Sequence, residues 1–211
     1  MKKILVGLIV FLSIFFGSSC QHFDFKNNSI NKKEEVPIKK DIDLNTVNIE
    51  VVSIIDGDTL IAKEGSEHYT VRLYGIDTPE TLKKGNENKL AKYENFYAQR
   101  AKNYLSDLVK NSSNLLKAHF ITHDDYKRKV CILYDHNNDI INKKIVENGY
   151  GIVYYITNNK NNKKFLIKNK TQKEFYKDII ESQEKAKIKR IGIWSETYFN
   201  DVYFGRNSSV F

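Results

Sequence analysis

Cysteine and proline each occur only twice in 211 residues, and methionine and tryptophan once each. Two cysteines cannot build a disulfide framework, and their scarcity argues against a thiolate zinc site. The one long apolar run, residues 4–16, is too short to span a bilayer comfortably. No internal repeat is evident. Against these absences stand 34 Lys+Arg and 26 Asp+Glu, a formal net charge of +8. That balance suits a polyanionic partner without identifying one, since a chain rich in Lys and Asn also arises from a biased genome. With 41% hydrophobic residues, 13 Tyr and 12 Phe, there is material for one compact core, so a single globular domain is expected.

The N-terminus stands apart from that domain. Lys2-Lys3, the apolar run and Gly17-Ser18-Ser19-Cys20 have the three parts of an export signal. Small residues ending at a cysteine resemble a bacterial lipoprotein signal, in which Cys20 is lipidated and opens the mature chain. Gly17 stands where leucine is usual; ordinary cleaved export and an uncleaved anchor are the alternatives. Residues 21–45 are polar and unpatterned, with Lys32-Lys33-Glu34-Glu35, and read as a flexible tether. With Cys20 lipidated, Cys131 has no disulfide partner; in the run Val130-Cys131-Ile132-Leu133-Tyr134 it reads as a small buried hydrophobe. The expected organisation is a signal over 1–20, a tether over 21–45, a domain over 46–200 and a tail over 201–211.

From Thr46 the pattern changes. Val47, Ile49 and Val51 alternate with Asn48, Glu50 and Val52, which predicts a strand continuing to Ile55. Asp56-Gly57 reads as a hairpin turn in which glycine supplies a positive φ. Further strands are expected over 59–63, 69–76, 115–122 and 129–134. Tyr97, Ala101, Tyr104, Leu105 and Leu108 recur at helical spacing, as do Phe175, Ile179, Gln183 and Ala186. A shorter helix over 141–146 ends at Asn148-Gly149. Five short strands imply a small barrel, with the helices laid against it.

The chemistry concentrates in two strings, Ile55-Asp56-Gly57-Asp58-Thr59 and Arg72-Leu73-Tyr74-Gly75-Ile76-Asp77-Thr78-Pro79-Glu80. Adjacent strand ends can bring Asp58 and Asp77 to one edge, and such hard oxygens suit Ca²⁺ or Mg²⁺. Taken singly, each feature has an ordinary structural reading. Asp-Gly is usually a turn, Asp-Thr-Pro-Glu opens a turn or helix, and a strand arginine often sits in a structural ion pair.

Taken together with Asp124-Asp125-Tyr126-Lys127-Arg128 and Ile193-Trp194-Ser195-Glu196, the strings resemble staphylococcal-nuclease-like proteins (thermonucleases), in the same order. The resemblance covers residues 48–196 and implies an α+β fold, mainly β: a five-stranded OB barrel with three helices. It implies a Ca²⁺-dependent phosphodiesterase that cuts DNA or RNA at the 5′ oxygen and leaves 3′-phosphate ends. Asp58 and Asp77 would be carboxylate ligands of Ca²⁺, with the Thr78 carbonyl added. Glu80 would orient or deprotonate the attacking water, Arg72 would bind the scissile phosphate, and Arg128 would face the charge of the transition state.

Two departures bear on substrate binding. The third motif commonly reads Asp-Lys-Tyr-Gly-Arg, so Asp125 stands at the lysine position and Lys127 at the glycine position. Tyr126 is retained, and Lys127 is the candidate for replacement charge. In Gly149-Tyr150-Gly151-Ile152-Val153-Tyr154-Tyr155-Ile156-Thr157, Thr157 stands where a second tyrosine is often found. Tyr155 is then the candidate for stacking on a base, with Tyr154 as its rival. Lys83-Lys84, Lys89 and Lys92 form a basic loop after Glu80, and Asn158 to Lys164 a polar one. The expectation is an exported, membrane-anchored monomeric nuclease. The alternative is an OB-fold surface lipoprotein that binds nucleic acid or protein without cutting it, a role that has no use for carboxylates which repel phosphate.

Overall fold

A computed structural model of the chain describes residues 46–203. The expected signal, Cys20, the tether and residues 204–211 of the tail lie outside the described residues. Seven strands and three α-helices follow in the order β1 (Thr46–Ile54), β2 (Thr59–Glu64), β3 (Glu67–Leu73), β4 (Ile76–Asp77), α1 (Glu94–Asn111), β5 (Leu115–His123), β6 (Lys129–Tyr134), α2 (Ile141–Glu147), β7 (Ile152–Val153) and α3 (Lys170–Ile188).

Five strands close into the expected barrel in the order β1-β2-β3-β6-β5. Every pairing is antiparallel except β3 with β6, which run parallel with Arg72 opposite Val130. Closure leaves no barrel edge open, and bulges at Val51/Ser53 in β1 and Phe120/Thr122 in β5 supply the bending it needs. Ile49, Leu60, Val71, Ile132 and Leu133 are buried at 1% exposure or less, with Ile132 and Leu133 on opposite faces of β6. Each such side chain contributes about 1.5–3 kcal/mol on burial. Cys131 is among these buried residues at 2% exposure, and burial pushes its thiol up to about 12, so it stays protonated and inert at neutral pH.

Two details differ from the sequence expectation, and both shape the site. The third strand does not run to Ile76. It ends at Leu73, because Gly75 turns the chain at φ +75°, where a Cβ would come within 2.8 Å of Phe175. Ile76–Asp77 then leaves the barrel and pairs with Ile152–Val153, a short strand that the sequence pattern did not announce. Gly57, in turn, does not take a positive φ. It is required because a Cβ there would lie 2.5 Å from the Ala101 Cβ, so its bare backbone lets the Asp56–Asp58 turn press onto α1.

Helices α2 and α3 are tied to these turns by buried amides. Asn142 accepts from the Leu133 N–H at 2.9 Å and donates to the carbonyls of Tyr74 (2.9 Å) and Cys131 (3.2 Å). Gln183 accepts from the Val153 N–H at 2.7 Å. Packing continues past residue 200: Val202 and Tyr203 are buried, and the Tyr203 hydroxyl donates to the Asp77 carbonyl at 3.0 Å.

Candidate functional site

The end of β3 carries Arg72 inward, at 8% exposure, between two acids from different segments. Its guanidinium forms ion pairs with Asp58, from the turn between β1 and β2, and with Asp77 of β4 at 2.8 Å. Thr78 closes the group from the far side. Its N–H and its hydroxyl donate to the other Asp58 oxygen at 2.8 and 2.9 Å. Asp58, Arg72, Asp77 and Thr78 therefore interlock, and Asp58 and Asp77 lie at one edge, on either side of Arg72.

The electrostatics follow from burial. Desolvation alone would push the Asp58 carboxyl up, but the Arg72 guanidinium and the Thr78 N–H hold it below the usual carboxylate range. Asp56, which the sequence pattern offered only as a turn residue, has no guanidinium against it, only the Asp58 N–H at 3.2 Å and Lys83 at 3.9 Å, and it goes the other way. Burial, then the charge of Asp58, raises it to about 7. Burial opposes the Arg72 charge, yet Asp58 and Asp77 raise its affinity for the proton further.

Three buried acids, Asp56, Asp58 and Asp77, thus face one buried arginine. Among the described residues, no three His, Cys, Asp or Glu side chains gather as a ready metal cage. A divalent cation here would rest on two carboxylates, a backbone carbonyl and water, an all-oxygen set that suits Ca²⁺ or Mg²⁺. The excess of buried acid over buried base is the charge such an ion would offset, and in this respect the residues fit it.

Glu80 lies just beyond the buried group, with its side chain about half exposed (51%). Lys83 spans the gap: its ammonium is 3.8 Å from Glu80 and 3.9 Å from Asp56. Of the basic loop noted in the sequence, Lys83 is thereby beside the acids, whereas Lys92 lies over the Tyr93 ring at 4.5 Å.

Arg72 also lines a pocket of about 340 Å³, together with Tyr126, Arg128, Tyr155, Lys164 and Phe165. The arginine is thus shared between the acid cluster and an open cleft. Asp124 presents Arg128 to that cleft by accepting from its Nε at 2.6 Å and from its backbone N–H at 3.0 Å. Burial works against the Asp124 charge, and these Arg128 contacts hold its carboxyl below the usual range. Tyr126 is 81% exposed, with the Arg128 guanidinium 5.3 Å from its ring centre.

Tyr155, rather than its rival Tyr154, lines the pocket. Its ring lies 5.6 Å from the Arg72 guanidinium, and its backbone takes φ +60°, a left-handed conformation that costs a non-glycine residue about 1–3 kcal/mol. Tyr154 turns edge-on to it at 4.6 Å and packs beneath, against the cluster of Tyr97, Ile152 and Ile193.

Lys127 takes φ +62°, the backbone glycine adopts freely, but it is exposed and does not line the pocket. The added charge comes from Lys164, in the loop read as merely polar. Its ammonium pairs with Asp125 at 2.6 Å across the pocket mouth. Phe165 beside it meets the Tyr155 ring edge-on at 5.2 Å, close to where the absent second tyrosine would stand, because its carbonyl accepts from the Thr157 N–H at 2.9 Å. A lone aromatic within Asn159-Lys160-Asn161-Asn162-Lys163-Lys164-Phe165 was the signal available in sequence. For Asp56 it was the repeated acid of Asp56-Gly57-Asp58; for Tyr203 there was none.

Comparison with known proteins bears on this site. The family described as staphylococcal nuclease homologue matches residues 70–196, which takes in Arg72, Asp77, Glu80, Arg128 and Tyr155. Asp58 falls outside the matched stretch and joins it through Thr78. A thermonuclease of Staphylococcus intermedius is 25% identical over 92% of this chain and 99% of its own. A thermonuclease of Staphylococcus hyicus is 32% identical over 39% of this chain and 45% of its own. An uncharacterized protein of Bacillus anthracis is 28% identical over 79% and 71% respectively.

Proposed function

Because this chain belongs to the staphylococcal nuclease homologue family, we propose that it is a Ca²⁺-dependent phosphodiesterase that hydrolyses DNA or RNA to 3′-phosphate ends. The observation that carries this reading is the double engagement of Arg72, ion-paired to Asp58 and Asp77 on one side and open to a pocket with Arg128 and Tyr155 on the other. A phosphodiester entering the pocket meets Arg72 and Arg128 together. Two guanidiniums from separate segments favour the five-coordinate transition state, in which negative charge on the phosphoryl oxygens is greatest.

Ca²⁺, held by Asp58, Asp77 and the Thr78 carbonyl, would polarise the phosphoryl group and supply bound water. The remaining work falls to the side chains. Glu80, exposed and carboxylate-bearing, orients the attacking water and takes its proton. Water oxygen bonds to phosphorus as the bond to the 5′ oxygen breaks, and that oxygen leaves with a proton from solvent. Tyr155 supports a base by stacking, Tyr126 flanks it, and Lys164 offsets the Asp125 charge that would otherwise repel phosphate.

Purified protein should degrade both single-stranded DNA and RNA in Ca²⁺, and digestion should stop when the ion is chelated and resume when it is restored. Undiminished cutting under chelation would overturn the metal assignment. Tight binding of nucleic acid with no products at any Ca²⁺ concentration would favour the non-cutting module instead.

We also propose export and anchoring through a lipid on Cys20, with the nuclease acting as a monomer at the cell envelope. This rests on the sequence of residues 1–20; among the described residues, no helix is long and apolar enough to cross a membrane. Cells given a labelled fatty acid should transfer label to the protein, and Cys20→Ala should abolish it. Label persisting in that variant would refute the anchor.

A further inference from the structure

Glu80 belongs to a segment that has little structure of its own. Between β4 and α1 the chain has one helical element, the 3₁₀ turn Glu87–Lys89, and most of residues 80–91 are exposed. A carboxylate on such a stretch has no fixed position unless the backbone beneath it is tied. Two adjacent residues in the first turn of α1 tie it.

Glu94 is buried, at 4% exposure, and its two oxygens accept from different places in the segment. Oε1 accepts from the Glu80 N–H at 3.3 Å and Oε2 from the Ala91 N–H at 2.8 Å. The next residue, Asn95, accepts from the Leu82 N–H at 2.8 Å through Oδ1. Within the segment, Asn86 accepts from the Lys83 N–H at 2.7 Å and donates to the Thr81 carbonyl at 2.9 Å, which keeps it folded on itself. The backbone at residues 80, 82 and 91 is therefore fastened to α1. That helix is in turn seated against the Asp56–Asp58 turn where Ala101 meets Gly57.

We infer that Glu94 and Asn95 are positioning residues for Glu80: they hold its backbone in one frame with Asp58, so that its carboxylate faces the water it is to deprotonate. The inference rests on the role proposed for Glu80. Both residues act through backbone amides, so they govern the placement of the base and leave substrate affinity to the pocket. A misplacement of about 1 Å in such a group costs up to roughly 100-fold in rate.

The test uses the full chain, with turnover on single-stranded DNA at saturating Ca²⁺, melting temperature, and backbone amide hydrogen exchange. Asn95→Ala should lower kcat by about 10-fold or more with KM within about twofold. Its melting temperature should stay near the parent's while the Leu82 amide exchanges faster. Asn95→Asp, which keeps the accepting oxygen, should recover kcat. Glu94→Gln, which keeps one of two acceptors, should lower kcat and speed exchange at Glu80 or Ala91. Adding Asn95→Ala to Glu80→Gln should not lower the residual rate further, because the group being positioned is already gone. An unimpaired Asn95→Ala beside an impaired Glu80→Gln overturns this inference alone, as does an equal loss from Asn95→Ala in both backgrounds. Full activity of Glu80→Gln overturns the role of Glu80 and this inference with it.

Discussion

Glu80→Gln should lower turnover by roughly 10²–10⁴-fold, the range expected for loss of a general base, and should leave the melting temperature unchanged. The two halves of this result have separate causes. Gln keeps the size of the side chain and its oxygen but cannot accept the proton of water at neutral pH. The structural cost is small because the group is about half exposed and meets Lys83 only at 3.8 Å. An exposed pair at that distance contributes about 0–1 kcal/mol. Initial rates on DNA, measured beside a thermal melt, check both halves, and a variant that cuts within about twofold of the parent would remove Glu80 from the mechanism.

Arg72→Met should fail in both respects. Its neighbours Asp58 and Asp77 are at 5% and 2% exposure, and methionine fills the space without supplying charge. Removing one partner of a buried ion pair leaves the other uncompensated, at about 3–5 kcal/mol. For a domain of this size that is a fall in melting temperature of roughly 6–20 °C. Activity should fall by about 10²–10³-fold, as when one transition-state donor is removed. Ca²⁺ separates the two effects. Bound between the stranded carboxylates, it should raise the melting temperature of the variant by more than that of the parent, since binding to the folded state alone stabilises it. It should not restore turnover, because the pocket still lacks its inner guanidinium. A variant that melts with the parent would show that Asp58 and Asp77 do not depend on Arg72.

The barrel was legible in sequence because its strands alternate. Ile49 and Val51 face inward while Asn48 and Glu50 face solvent, and the apolar run of Val130, Cys131, Ile132 and Leu133 marks a strand whose side chains are largely buried. Helix α1 was legible because Ala101, Leu105 and Tyr97 fall on one face. The break at Gly75 was not. A two-residue strand carries no period, and Ile76–Asp77 exists only because Ile152–Val153 comes to lie beside it.

Within the site, the residues carried by short motifs were legible, and those supplied from a distance were not. Asp58, Arg72 and Asp77 stand in strings that, taken together, resemble those of the staphylococcal-nuclease-like proteins. Lys164 matters because a salt bridge brings it to Asp125, 39 positions away, and nothing local to either residue encodes that meeting. Asp56 shows a different gap. Its residue type was plain, but its raised proton affinity comes from burial and from Asp58, quantities that exist only in the folded chain.

Tyr203 fastens the Asp77 carbonyl from 126 positions further along the chain. Synthesis runs from the amino end, so Asp58, Arg72 and Asp77 leave the ribosome early and the residue that steadies one of them leaves late. The barrel strands are complete by Tyr134, yet the strand bearing Asp77 waits for β7 and then for Tyr203. The brace on Asp77 can therefore form only after the residues of the barrel have been made. A chain clipped just before Tyr203 would lose that brace, so the Asp77 carbonyl depends on a side chain made 126 positions after it.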